Sequence, residues 1–345
     1  MMNREQYRRD LALAGEYGAW LSGKRVLITG ATGMIGSFLV ETLSFLNESR
    51  GAGIEIYAAG RSDARLRERF GELADRPWLH FVPYDATRPV AFDFRADCVV
   101  HAATSAHPMA YSTDPVGTMQ ANLIGTMQLL EYLRRQGSGR LILLSTGEVY
   151  GENPELPDGF SEDDHGWVDS MLPRACYPES KRAAETLCVS YAAQYRVDVL
   201  VARLCHVYGP TFTAVNSRAD AQFIRKALAG EDIVMKSAGA QVRSLCYVAD
   251  AAGAILALLE KGETAHAYNV ANHASVASIR EYAQTLAALA GVKVVFEIPP
   301  EVERAGYTRV TRAVLNPARL EALGWKSAVS LEEGLRRTLA VLGKV

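Results

Sequence analysis

The sequence predicts an α/β fold, a doubly wound parallel sheet followed by a smaller C-terminal lobe. Three observations carry that prediction. Short apolar runs alternate with stretches of helical periodicity up to about residue 203. A glycine-rich turn follows the first of those runs. Beyond Gly209-Pro210 the alternation loosens into mixed short elements. The length agrees, because 345 residues are too many for one small core and suit a large domain with a second lobe.

Residues 4–21 read as a short amphipathic helix lying ahead of the fold, so 1–22 is expected to be an N-terminal helical extension. RVLIT at 25–29 is a compact strand, and helical periodicity follows at 37–45. A second strand at 54–59 leads into Gly60-Arg61-Ser62 and a charged helix. The third strand, 80–84, ends at Asp85, and the fourth, 98–102, runs into Ala103-Thr104. A long helix covers 118–135, and a fifth strand at 140–144 ends in Ser145-Thr146-Gly147-Glu148. The helix 180–195 and the strand 198–203 complete the layer. This is a Rossmann-type arrangement, expected over 23–210, with ligands at the carboxyl ends of the strands. Residues 211–345 are expected to form mainly a substrate-binding lobe, with short returns to the main sheet near 243–250 and 267–270.

The balance of charge excludes some partners. A net charge of -2 indicates neither a nucleic-acid nor an acidic-membrane partner, so an anionic ligand must be held by a few local cations and backbone amides. The five cysteines are scattered, with no CxxC pair, which points to reduced core thiols and not to a disulfide frame or a metal site. Residues 1–10 are polar and charged, unlike a signal peptide, and no run of eighteen apolar residues occurs. The expectation is a cytoplasmic protein.

The turn itself is Gly30-Ala31-Thr32-Gly33-Met34-Ile35-Gly36. Gly30 permits a tight exit from the strand, Gly33 lets backbone approach a pyrophosphate, and Gly36 allows close helix–strand packing. The helix that follows aims free amides and the positive end of its dipole at the phosphates. Together these predict a dinucleotide site. An acidic residue at the end of the second strand would hold the adenosine ribose hydroxyls. Here Gly60-Arg61-Ser62 stands instead, so Arg61 could pair with a 2'-phosphate, stack on adenine, or be a solvated arginine. Asp85 could contact the adenine amine or cap the next turn.

Tyr177-Pro178-Glu179-Ser180-Lys181 sets a phenol and an ammonium four residues apart, on one helix face. A nearby cation favours the phenolate, so Tyr177 can exchange a proton with a sugar hydroxyl near neutral pH. Lys181 can also hold the nicotinamide ribose. Thr146, at the end of the fifth strand, can share the same hydroxyl's hydrogen bond.

At this point the chain resembles the extended short-chain dehydrogenases/reductases, the NAD-dependent epimerase/dehydratase family of nucleotide-sugar enzymes. The resemblance rests on TGATGMIG, HAAT, ANLIGT, STGEVYG, YPESK, RLCHVYGP and VRSLCYVAD, which run nearly the full length. It implies that Thr146, Tyr177 and Lys181 are the catalytic trio, with Asn122 supporting the central helix and the lysine. It also implies that Ala102, Ala103 and Thr104 line the cofactor beside the glycine turn.

The segments 173–185, STGEVYG and VRSLCYVAD are particularly similar to UDP-glucuronate decarboxylases. Those enzymes oxidise the sugar at C4 with bound NAD, lose carbon dioxide from the β-keto acid, and return the hydride. Glu148 matches an acidic residue that takes part in proton handling in decarboxylases and 4,6-dehydratases. A strand-end glutamate bonded to nearby amides is the plainer alternative.

Several positions depart from the family's pattern. The 4,6-dehydratases resemble Thr-Asp-Glu where this chain has Thr146-Gly147-Glu148, and the missing acid argues against dehydration. His206 stands where many relatives have an asparagine beside the sugar nucleotide, and an ordinary packed histidine is the alternative. Arg243 resembles the arginine that clamps the substrate diphosphate, a role suited to a planar fork of donors. Arg218 and Arg174 are weaker anion-binding candidates, and Asp250 is expected to anchor a turn. Decarboxylation of the UDP-glucuronate type is expected first, 4-epimerisation is the alternative, and 4,6-dehydration or NADPH-dependent reduction of a keto sugar follow, with NAD favoured over NADP and a UDP-linked substrate expected. The resemblance also implies a homodimer formed through the helices at 118–135 and 180–195.

Overall fold

The computed structural model describes residues 3–104, 106, 108–153, 155–156, 159–298 and 310–344. Its strands are β1 (Arg25–Thr29), β2 (Glu55–Gly60), β3 (Leu79–Pro83), β4 (Cys98–His101), β5 (Arg140–Thr146), β6 (Asp198–Leu204), β7 (His206–Tyr208), β8 (Ile233–Met235), β9 (Val242–Tyr247), β10 (Ala267–Val270), β11 (Val276–Ser278), β12 (Val294–Phe296) and β13 (Arg312–Ala313). Among the described residues the main sheet is parallel throughout, in the order β10-β6-β5-β4-β1-β2-β3. The order reverses between β1 and β4, and in such a sheet the crevice at the carboxyl ends of those two strands is where a ligand settles.

The helices are α1 (Arg4–Gly15), α2 (Met34–Arg50), α3 (Asp63–Phe70), α4 (Pro108–Thr113), α5 (Pro115–Gln136), α6 (Cys176–Tyr195), α7 (Ala219–Ala229), α8 (Val248–Lys261), α9 (Ile279–Ala290), α10 (Ala318–Glu321) and α11 (Leu331–Val341). One core lies on the α1, α2 and α8 side of the sheet, where Leu11, Phe38, Leu43 and Ile255 pack on Val26 and Ile28. The other core sets Leu129, Leu133, Ala184 and Cys188 of α5 and α6 against Leu27, Val99 and Leu141. Parallel strands covered on both faces must be apolar on both, which is why RVLIT and RLILL read as continuous runs and not as alternations.

α1 is built into the first core. Its Asp10 is fully buried and accepts hydrogen bonds from the Tyr247 hydroxyl at 2.7 Å and from Arg337 at 3.0 Å. The segment 267–270 returns to the main sheet as the edge strand β10, as expected. The segment expected to return at 243–250 does otherwise. β9 pairs with β7, β11 and β13 in a separate small sheet, because β10 already covers the open edge of β6. The return is made instead by α8, whose residues from Val248 to Leu259 are all buried. β7 also joins that small sheet. All five cysteines are free thiols, four of them buried, as their apolar surroundings predict. Among the described residues no helix is long and apolar enough to cross a membrane.

Candidate active site

The glycine turn is pressed against backbone on two sides. Gly30 has φ +65°, and a Cβ there would lie 2.6 Å from the Ala102 carbonyl and 2.9 Å from the Ala103 Cα. A Cβ on Gly36 would lie 2.4 Å from the Gly30 carbonyl. Gly33 is the N-cap of α2 and offers no side chain, so the first amides of the helix stay open to an anion. The Thr104 hydroxyl is buried beside the turn with no hydrogen-bond partner among the described residues. Thr29 holds the two strand ends together, its Oγ1 2.9 Å from His101 Nδ1 and accepting from the Ala103 amide at 3.3 Å. A cradle that a single methyl would fill, an uncapped helix start and an orphaned hydroxyl fit a dinucleotide.

At the adenosine end, Arg61 is exposed just beyond β2. Asp85 caps a turn, accepting from the Thr87 amide at 2.9 Å and the Thr87 hydroxyl at 2.8 Å. Those bonds hold its carboxyl below the usual range.

Thr146 ends β5, while Tyr177 and Lys181 lie one turn apart at the start of α6. The Thr146 hydroxyl faces the Tyr177 phenol and works to lower its pKa, and it accepts from the Glu148 amide at 3.2 Å. Asn122 of α5 donates to Ser180 Oγ at 2.8 Å, while its own Oδ1 is buried without a partner among the described residues. Lys181 donates to the Leu144 carbonyl at 2.8 Å, which ties α6 to the end of β5.

The electrostatics differ from the expected lysine-promoted phenolate. Burial pushes the Tyr177 phenol up to about 12, and the Glu148 carboxylate adds to the rise. Thr146, Arg218 and Arg174 act in the opposite direction. Burial brings Lys181 down to about 8, countered by Glu185 and Cys188. In the free protein the ammonium is turned toward the Leu144 carbonyl, and of the pair it is Lys181, at about 8, that titrates at the lower pH.

Glu148 and Arg174 form an ion pair, Nη2 to Oε2 at 2.8 Å. The Arg174 guanidinium lies 4.4 Å from the centroid of the Tyr111 ring, and that ring stacks on Tyr177 at 4.7 Å. Behind the trio, Glu185 accepts from Ser145 at 2.5 Å and from Arg203 at 2.8 Å. Sequence reasoning missed Tyr111, Ser145, Glu185 and Arg203. Glu185 carried a signal, because it lies four residues after Lys181 on the same helix face. Tyr111 carried none, since its contact with Tyr177 spans 66 residues.

One cleft brings most of the site together, bounded by the three glycines of the turn, Met34, Ile35, Ala102, Thr104, Thr146, Tyr177 and Arg218. Thr213 and Asn216 of the second lobe close it from the far side, as residues that sequence reasoning also missed. Arg218 is held by the Val207 carbonyl at 3.0 Å and faces Asp220 at 3.6 Å. His206 does not line this cleft; its Nε2 is 3.2 Å from the buried Asp220. Burial would raise the Asp220 carboxyl, but Arg218 and His206 hold it well below its ordinary range. Arg243 donates to the Val242 carbonyl at 2.9 Å and the Val310 carbonyl at 2.7 Å, with no ion pair among the described residues. Burial lowers its pKa, opposed by the distant charges of Glu148 and Glu152. A half-buried arginine without a carboxylate partner suits an anionic ligand. Asp250 anchors a turn, accepting from the Ala328 and Val329 amides at 3.0 Å.

A Rossmann sheet with a glycine turn and a Thr-Tyr-Lys site defines the class, and the chain belongs to the NAD dependent epimerase/dehydratase family, whose model matches residues 26–271. Among its relatives is UDP-glucuronic acid decarboxylase 5 of Arabidopsis thaliana, 33% identical over 91% of this chain and 88% of the relative. UDP-glucuronic acid decarboxylase 1 of Danio rerio is 32% identical over 92% of this chain and 72% of the relative. The structure also superposes on UDP-glucose 4-epimerase from Thermus thermophilus in complex with NAD. That match has a TM-score of 0.76 and 28% identity, and it covers 93% of this chain and 100% of the other.

Proposed function

We propose that this chain decarboxylates UDP-glucuronate by transient oxidation at C4. The observation that carries the reading is that Thr146 and Tyr177 border the same cleft as the glycine turn, with the Glu148–Arg174 pair beside them. The family relationship to UDP-glucuronic acid decarboxylases supports it.

The turn from Gly30 to Gly36, including Thr32, would hold the dinucleotide with Ala102, Ala103, Thr104 and Lys181, and Arg61 and Asp85 would border its adenosine end. When bound, NAD supplies the hydride acceptor for C4 and the hydride donor for the return step. Tyr177 takes the O4 proton as its phenolate, the form Lys181 would favour once its ammonium turns from the Leu144 carbonyl toward the site. C4 becomes a ketone as that proton leaves, and Thr146 shares the hydrogen bond to O4. Loss of carbon dioxide moves the C5–C6 bond pair into an enolate at C4–C5, whose oxygen the Tyr177 hydroxyl stabilises. Glu148 handles the proton that C5 then receives. Arg243 would clamp the nucleotide diphosphate, with Arg218 as a second cation at the cleft, while His206, paired with Asp220 away from the cleft, has the packed role.

The same trio would serve 4-epimerisation if the keto sugar could turn in the site. NMR of the protein incubated with UDP-glucuronate decides between them. UDP-xylose with carbon dioxide is expected, and an axial C4 epimer without carbon dioxide would sink decarboxylation.

The reading extends to assembly and location. α5 and α6 lie side by side and present Leu123, Ile124, Met127 and Leu187 along an open apolar groove, which a second copy of the chain would cover. Free thiols throughout are compatible with the reducing cytoplasm.

A further inference from the structure

Arg174 sits in the short turn Pro173–Ala175 that leads directly into α6, so its backbone is fixed relative to Tyr177. The Tyr111 ring packs against its guanidinium and also stacks on the catalytic tyrosine. A guanidinium carries five donors in a fork. The bond to Glu148 uses one of them, and the side chain is 34% exposed, so the fork is reachable.

We infer that Arg174 is the residue that reads the carboxylate of the sugar, with Glu148 as its resting partner in the free protein. The inference rests on the UDP-glucuronate reading. The carboxylate is attached at C5, next to the C4 whose oxygen must reach Tyr177, and Arg174 lies in the turn directly before that tyrosine. The guanidinium then exchanges one carboxylate for another of the same geometry. Glu148 is released for proton handling at that moment. As the negative charge leaves C6, Arg174 recovers Glu148, and the departing group is not held back. The sugar ring of the product carries no carboxylate for Arg174 to bind.

Calorimetric binding of UDP-glucuronate and of UDP-xylose tests this in a Tyr177→Phe background, which keeps the ring stack and slows turnover by about 10²- to 10⁴-fold. Arg174→Gln should weaken UDP-glucuronate by about 10- to 100-fold, the worth of a hydrogen bond to a charged group, and leave UDP-xylose unchanged. Glu148→Gln should tighten UDP-glucuronate, because it removes the competitor. Opposite signs from the two members of one ion pair are not produced by a merely structural role. Equal weakening of both ligands in Arg174→Gln, or an intact preference for UDP-glucuronate, overturns the inference. So does a Glu148→Gln protein that binds UDP-glucuronate no more tightly. Failure of the wild-type protein to release carbon dioxide from UDP-glucuronate is a separate result and overturns the functional reading itself.

Discussion

The Nζ of Lys181 donates to the carbonyl of Leu144 at 2.8 Å in a place where the residue is only 2% exposed. Burial holds its pKa at about 8, and Glu185 works against that fall. The ammonium is therefore present below about pH 8 and is lost as pH rises through that value. Turnover that depends on the charged form should decline above about pH 8. Glu185→Gln removes the carboxylate that raises the lysine pKa, so the decline should move to lower pH. A profile of kcat against pH for the two proteins checks this, and an unshifted basic limb would contradict it.

The same burial makes Lys181 a cost to folding. Its pKa is depressed from an ordinary 10.5 to about 8, so the folded state resists protonation. That penalty is complete below about pH 8 and is relieved as pH rises toward 10.5. Lys181→Met should abolish activity yet stabilise the protein at pH 7 by roughly 1–3 kcal/mol, since each pKa unit is worth about 1.4 kcal/mol and the lost bond to Leu144 offsets part. Urea unfolding at pH 7 and pH 9.5 measures it. The gain should be smaller at the higher pH.

Tyr177→Phe isolates the phenol oxygen. The ring stack with Tyr111 stays, so the fold and ligand binding should be retained. Carbon dioxide release from UDP-glucuronate should drop by about 10²- to 10⁴-fold, the usual worth of general acid–base catalysis. An unchanged rate would remove Tyr177 from its role.

What could be read from the sequence divides along a physical line. The glycine turn, the Tyr177–Lys181 spacing and the strand-end Thr146 are local patterns, set by neighbours a few residues apart. Each lies where the pattern predicts. The lodging of β9 in a small separate sheet depends on which edge β10 had already taken, a competition between segments that periodicity does not record. Tyr111 reaches Tyr177 across 66 residues, and Glu148 meets Arg174 across 26. The expected effect of Lys181 on the phenol failed for the same reason. Four residues of spacing put both groups on one helix face, but burial and the Leu144 carbonyl decide where the ammonium points.

Gly36 tests the turn. A methyl at 2.4 Å from the Gly30 carbonyl cannot be accommodated by a side-chain rotation, because both partners are backbone. Gly36→Ala should push the start of α2 off β1, lower stability by about 1–3 kcal/mol and abolish NAD binding by calorimetry. Gly51→Ala is the control for a glycine outside the site: its φ of +62° strains the new residue, but nothing lies within 4 Å of the added methyl. It should lose stability and keep the dinucleotide.

The groove between α5 and α6 makes the last test. Met127 is 40% exposed and Val189 is 40% exposed on these two helices, and Leu123, Ile124 and Leu187 line the space between them. Apolar side chains that contribute little to the monomer's core gain by association, each buried side chain being worth about 1.5–3 kcal/mol. A glutamate at Met127 would have to bury its charge in that contact. Met127→Glu should therefore yield a folded monomer while the wild-type chain sediments as a dimer at micromolar concentration. The groove and the catalytic cleft share no lining residue, so the monomer should still bind NAD. A wild-type monomer would refute the pairing, and so would a Met127→Glu dimer.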